Sequence, residues 1–188
     1  MKTLPNSKSG LQNRIAQHSL AGGDIYAAKY VPLGQRALSP EELSVRQTAL
    51  QLKTGQPAAV QVAAVAMARL IEGPCWLVPV PSSSGSLAAN LAVARAIAEQ
   101  VDGARVKCAV ARSQPVESSC GRRFRGLAGL SVEEHCIIRT AGPMEPMPVY
   151  FVDNVITTGT TVAACRRALG WGNGLAYADA STRPQAEP

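Results

Sequence analysis

Val149-Tyr150-Phe151-Val152-Asp153-Asn154-Val155-Ile156-Thr157-Thr158-Gly159-Thr160-Thr161 is the stretch that decides the fold. It opens on four apolar or aromatic residues, the composition of a buried strand. Asp153 and Asn154 follow at the carboxyl end of that strand, where open α/β sheets bind ligands. A threonine-rich loop around Gly159 leads into residues 162–169, which read as a helix. The amino end of a helix presents unbonded N–H groups and a positive dipole end, and both suit phosphate. The hydroxyls of Thr157, Thr158, Thr160 and Thr161 add donors, and Gly159 removes a side chain where backbone must approach an anion. A carboxylate and an amide ahead of the loop suit the hydroxyls of a sugar joined to that phosphate. The plain alternative is a threonine-capped helix after a buried strand. Such a loop rarely combines an acid, an amide, four threonines and a glycine. Neither G-x-x-x-x-G-K-[ST] nor G-x-G-x-x-G occurs in the chain.

Outward from this run, strands and helices alternate. Residues 76–80, 105–111, 136–139 and 175–180 read as strands, with 25–31 as a further short one. Ser39-Pro40-Glu41-Glu42 is a helix start, with serine as N-cap, proline in the first turn and acids where the dipole favours them. That helix is expected to reach Lys53. Residues 58–71 and 87–101 read as two more helices, and 11–20 carries a weak helical pattern. Alternation of this kind predicts an α/β layer with a mostly parallel sheet. Residues 112–134 are polar, basic and without a clear period.

The composition fits one ordinary domain of 188 residues: 46% of them are apolar, and 17% are charged. Aromatics are 4%, which argues against single-strand nucleic-acid binding by stacking. The net charge of +6 attracts polyanions or serves solubility alone. Five cysteines without a C-x-x-C pair argue against a zinc ribbon or a thioredoxin-like site and fit a reducing cytoplasm. His18 and His135 lie too far apart in sequence to suggest a metal site. Residues 1–10 are polar and lack the apolar core of a signal peptide, and no apolar run suits a membrane span.

The run from 149 to 161 closely resembles the phosphoribosyl-pyrophosphate (PRPP) signature of the type I phosphoribosyltransferases, usually a strand, two acids and a Thr-Gly-Thr-type loop. The resemblance implies that Asp153 and Asn154 take the ribose hydroxyls, and that Thr157, Thr158, Gly159, Thr160 and Thr161 hold the 5′-phosphate. Asn154 stands where an acid is usual. Lys53 ahead of a helix, followed by Leu77-Val78-Pro79-Val80-Pro81, is similar to the ComF-type branch of the family, linked to bacterial competence for DNA uptake. With these segments the resemblance covers roughly 53–180.

The same resemblance makes Ser82-Ser83-Ser84-Gly85-Ser86 the pyrophosphate loop, with Ser82, Ser83 and Ser84 as binding residues. Small hydroxyl residues and glycine suit an anion held by backbone amides. A serine-rich helix cap reads the same stretch equally well, and the Arg-Gly pair usual in ComF-type chains is missing. Residues 112–134 fall where the family has a flexible lid. Arg112 would bind pyrophosphate, and Arg122 and Arg123, near Gln114 and Arg125, would close over it. Cations there stabilise a leaving group of growing negative charge. An ordinary solvated basic loop is the bland reading of that segment.

The resemblance therefore implies a Rossmann-like type I phosphoribosyltransferase fold: an N-terminal hood at 1–52, a core at 53–180 and a polar tail at 181–188. It implies transfer of ribose 5-phosphate from PRPP to an unidentified nitrogenous base, with release of pyrophosphate. Mg²⁺ would enter as the PRPP complex and face Asp153. Asp153, Asn154 and Arg112 would be the residues closest to the chemistry, with no residue nominated as a general base. The rival is a non-catalytic protein that binds PRPP or a nucleoside monophosphate, as a regulator or DNA-uptake accessory. A nucleic-acid binder using Arg122 to Arg125 is a third expectation, and self-association stays open.

Overall fold

The computed structural model describes residues 18, 19, 23–34 and 36–181. In chain order the elements are β1 (His18–Ser19), β2 (Ile25–Lys29), α1 (Pro40–Lys53), α2 (Pro57–Ala68), β3 (Trp76–Pro79), α3 (Ala88–Ala98) and β4 (Arg105–Val106). They continue with β5 (Val110–Arg112), α4 (Ser119–Phe124), β6 (Ile137–Arg139), β7 (Val149–Ile156), α5 (Thr160–Leu169) and β8 (Asn173–Asp179). The main sheet has the order β1-β2-β8-β7-β3-β4. The five strands from β2 to β4 run parallel, and β1 pairs antiparallel at the edge. Helices cover both faces, which is the mostly parallel α/β arrangement expected from the alternation.

β7 sits in the middle because its sequence tolerates burial on both faces. Val152 joins the cluster formed with α1, α2 and α3, while Val149 and Phe151 join the cluster under α5. Register places Leu77 beside Tyr150 and Val152 beside Leu175. Parallel pairing sends the carboxyl ends of β3, β7, β8 and β2 to one edge of the sheet, and Asp153 and Asn154 lie there. The connection from α5 to β8 passes close to β7 and requires glycine at 172. There φ is +120°, and a Cβ would meet Phe151 Cε2 at 2.7 Å.

Local chemistry explains the helix starts. Ser39 Oγ accepts from the Glu42 amide at 3.2 Å, and Glu42 Oε2 accepts from the Ser39 amide at 2.9 Å. This reciprocal box, with Pro40 in the first turn, fixes where α1 begins. Pro57 does the same for α2, whose alanines and valines bury Ala59, Val60, Ala63, Ala64 and Met67. Outside, α1 and α2 leave Leu43, Leu50, Val62 and Val65 exposed. No helix among the described residues is long and apolar enough to cross a membrane.

Three expectations change. The single strand at 105–111 is two strands in two sheets. After Lys107 donates its amide to Leu77 O, the Ala109 amide turns back onto Lys107 O at 2.9 Å. This tight turn lifts β5 away to pair antiparallel with β6. The expected hood contributes β2 to the main sheet and Ala49 and Leu52 of α1 to the main core. The described part of 1–52 is thus built into the α/β unit. The helical pattern at 11–20 lies mostly outside the described residues, and its last part, His18–Ser19, is strand. The tail from 182 to 188 is also outside them.

Candidate functional site

The loop after β7 is shorter than the sequence suggests, because α5 begins at Thr160 and not at 162. Gly159 is its N-cap, with φ 78° and ψ 0°, a left-handed conformation that favours glycine. As a glycine it offers no side-chain cap of its own. The Thr160 amide donates to Thr158 Oγ1 in a long bond of 3.4 Å, and Thr160 and Thr161 stand in the first turn itself. The threonine hydroxyls form a short chain. Thr158 Oγ1 lies 2.8 Å from Thr160 Oγ1, and His135 Nε2 lies 3.0 Å from the same Thr160 oxygen. Thr157 is partly exposed beside them.

Asp153 lies within β7, three residues before its last residue, Ile156. Asp153 Oδ1 accepts from the Asn154 amide at 2.8 Å and from Asn90 Nδ2 at 3.3 Å. Asn90 is buried at the start of α3 and also donates to Val80 O at 2.8 Å. Burial raises the Asp153 pKa. The Asn154 amide, Asn90, and the charges of Arg112 and Lys53 oppose that rise. Two buried oxygens nearby, Asn90 Oδ1 and Asn154 Oδ1, have no hydrogen-bond partner. The neighbouring Cys165 thiol is pushed up to about 12 by burial and then by the Asp153 charge, so it stays neutral and fills the core.

Across the edge lies the serine turn. The Ser82 amide donates to Ser86 O at 2.9 Å and the Gly85 amide to Ser82 O at 3.0 Å. Ser82 Oγ and Ser84 Oγ are 2.9 Å apart. Arg112, carried in by the departure of β5, donates from Nε to Ser82 O at 2.6 Å and from Nη1 to His135 O. Burial lowers its pKa, although charges around it, Asp153 among them, oppose the shift. The Val116 amide bonds Ser83 O at 2.8 Å, so the start of the segment 112–134 is stitched to the serine turn.

The structure thus gathers Asp153, Asn154, Thr157–Thr161, Ser82–Ser84 and Arg112 at one sheet edge. Arg122 and Arg123 behave differently. Both lie on the short α4, which Ser118 caps by accepting from the Gly121 amide at 3.1 Å. Arg122 Nε donates to Ala128 O at 2.7 Å and its Nη1 is 4.0 Å from Glu117, so it folds the segment onto itself. Arg123 is exposed. Sequence reasoning missed Asn90 and His135. Asn90 is an unremarkable amide in an alanine-rich helix, and His135 ends a polar stretch with no recognisable spacing.

No protein-family model, no curated protein and no solved structure matches the chain.

Proposed function

We propose that this chain binds PRPP and transfers its ribose 5-phosphate to a nitrogenous base, on a fold of the type I phosphoribosyltransferase kind and of its ComF-type branch. One observation carries the reading. A parallel strand carries Asp153-Asn154 in its carboxyl-terminal half, finishes at Ile156 and passes within one turn into the glycine-started end of α5, with the serine turn and Arg112 beside it. Asp153 and Asn154 take the ribose hydroxyls, the first turn of α5 takes the 5′-phosphate, and Ser82–Ser84 with Arg112 take pyrophosphate. In the transfer the bond from ribose C1 to pyrophosphate oxygen breaks as a bond from C1 to base nitrogen forms. The nitrogen's proton leaves to pyrophosphate or water. The protein contributes position and charge.

Magnesium fits this donor set as a partner of the ligand. Among the described residues no group of three His, Cys, Asp or Glu side chains clusters to hold a metal alone. Asp153 and the unbonded Asn154 Oδ1 are hard oxygen donors that would face the ion. When bound, the ion neutralises charge on the departing pyrophosphate.

A second reading is a protein that binds PRPP or a nucleoside monophosphate without transfer. Arg112 favours it, because its guanidinium is engaged with the carbonyls of Ser82 and His135. So does the neutral Asn154. Calorimetric titration with PRPP, with and without Mg²⁺, tests both. A pyrophosphate-release screen over purines, pyrimidines and nicotinate-like acids then separates them. Binding with release supports the enzyme, binding without release supports the second reading, and no binding refutes both.

A further inference from the structure

His135 lies outside every residue set assigned above, yet it is 2% exposed and touches both halves of the site. Its Nε2 is 3.0 Å from Thr160 Oγ1. Its Nδ1 is 3.4 Å from both Nη1 and Nη2 of Arg112, and its backbone carbonyl accepts from Arg112 Nη1. A guanidinium has only donors. Nδ1 must therefore carry the lone pair and Nε2 the proton, a tautomer assigned from its partners. Nε2–H donates to Thr160 Oγ1, so the Thr160 hydroxyl hydrogen turns toward Thr158 Oγ1 at 2.8 Å.

We infer that His135 is a positioning residue: it fixes the orientation of the Thr160 hydroxyl in the first turn of α5 and joins that turn to Arg112 through one directional chain, Arg112 to His135 to Thr160 to Thr158. The inference rests on the reading of this turn as a phosphate cradle. The chain bridges elements that the sequence keeps apart, from the end of β5 through the segment before β6 to the start of α5. Its direction follows from Arg112, which cannot accept. The neutral imidazole that it requires agrees with burial and the Arg112 charge, which both lower the His135 pKa, against the opposing charge of Glu134. Charge on the ring would place an Nδ1–H against the guanidinium. Backbone bonds hold the arrangement from behind, with the Ser113 amide on Cys136 O at 2.9 Å and the Cys136 amide on Glu133 O at 3.0 Å.

The direct test is ¹⁵N NMR of the imidazole nitrogens in the full chain, with His18→Gln to assign the two rings. The expected result at neutral pH is an Nε2–H tautomer for His135 whose Nε2 shift moves in Thr160→Val. An Nδ1–H tautomer, or shifts indifferent to Thr160→Val, overturns the inference whether or not the site binds phosphate. The functional arm titrates ribose 5-phosphate into folded parent, His135→Leu and His135→Gln. Leucine, which removes the donor, is expected to weaken binding about tenfold, the change expected from one lost hydrogen bond of about 1.4 kcal/mol. Glutamine, which keeps an N–H near the Nε2 position, is expected to stay within about twofold of the parent, since the hydrogen bond is retained. Equal loss in both variants, or none in leucine, overturns the positioning role. If the parent itself fails to bind ribose 5-phosphate, the phosphate reading falls, and the NMR result decides the His135 contact independently.

Discussion

Replacing Asp153 by asparagine is expected to stabilise the protein and to weaken the proposed PRPP binding. Asp153 Oδ1 accepts from the Asn154 amide at 2.8 Å and from Asn90 Nδ2 at 3.3 Å. An asparagine carbonyl oxygen in the same place keeps both bonds, so the change is almost purely one of charge. Burial raises the carboxyl pKa against the pull of those two donors and of Arg112 and Lys53. Each pK unit of such a rise costs the folded state about 1.4 kcal/mol once the group is ionised. For a chain of this size about 1 kcal/mol moves Tm by roughly 2–4 °C, so each unit corresponds to about 3–5 °C. The residue is partly open to solvent, and screening makes this an upper figure.

The sign over pH follows from linkage. A carboxyl whose folded pKa lies above its unfolded value of about 3.9 favours folding at low pH, and that contribution is lost as pH rises through the folded pKa. The variant has nothing to lose. Melting curves from pH 3.5 to 8, followed by circular dichroism, should therefore show Asp153→Asn above the parent at neutral pH, with the gap closing in acid. Calorimetry on the same samples should show PRPP binding weakened by roughly tenfold or more, as expected where a ligand loses a charged acceptor. A variant equal to or less stable than the parent at pH 7, or a gap independent of pH, refutes the reasoning. Either would mean that Arg112 and Lys53 stabilise the carboxylate more than burial penalises it.

Asn154→Asp should raise pyrophosphate release or tighten Mg²⁺-dependent PRPP binding, because on the proposed reading it adds negative charge near a ribose carbon that becomes cationic. Unchanged release and unchanged Mg²⁺ dependence would make the missing charge irrelevant. Thr158→Ala combined with Thr160→Ala should weaken PRPP binding by at least about 1 kcal/mol, the typical value of a lost hydrogen bond, in calorimetric titration. Gly159→Ala should cost about 1–2 kcal/mol of stability from backbone conformation alone. Its φ is +78° and an added Cβ meets nothing within 4 Å, so a urea midpoint shift at unchanged slope is the expected readout.

The central part of this architecture is legible because it rests on local chemistry. Ser39 to Glu42 names its own capping box, and the apolar run before Asp153 names a buried strand. Such signals need only a few neighbouring residues. The parts that are not legible depend on distant partners. The break at Lys107 to Ala109 follows from Leu77 O taking the last main-sheet bond and from β6 offering a second sheet. Its consequence is large, since it carries Arg112 to the serine turn. Thr160 looks like loop, yet it belongs to a helix whose start is set by the left-handed Gly159. Asn90 and His135 carry no motif; their roles arise only when α3 and the segment before β6 meet the ends of β7 and α5.

Buried acids elsewhere in the molecule show what distinguishes Asp153. Asp24 Oδ1 accepts from Arg166 at 2.5 Å and from the Gly174 amide at 2.6 Å. Asp179 accepts from Lys29 at 2.6 Å, from the Ser181 amide at 2.9 Å and from Ser181 Oγ at 2.9 Å. Each has a cation and an amide, the arrangement that makes a buried charge tolerable. Asp153 has two neutral N–H donors on one oxygen, one of them long, and its cations act only from a distance. Around it two amide oxygens are buried without a donor. The two fully buried acids are satisfied, so the deficit around the half-buried Asp153 is local and needs a local reason. Unbonded buried acceptors cost roughly 1–3 kcal/mol each. Their chemical complement is a set of hydroxyl donors, and on the proposed reading vicinal sugar hydroxyls held beside a phosphate at the start of α5 would supply that set. The same deficit makes Asp153→Asn a gain in stability and a loss in binding, whereas Asp24→Asn, which would leave Arg166 without its carboxylate, should lose stability.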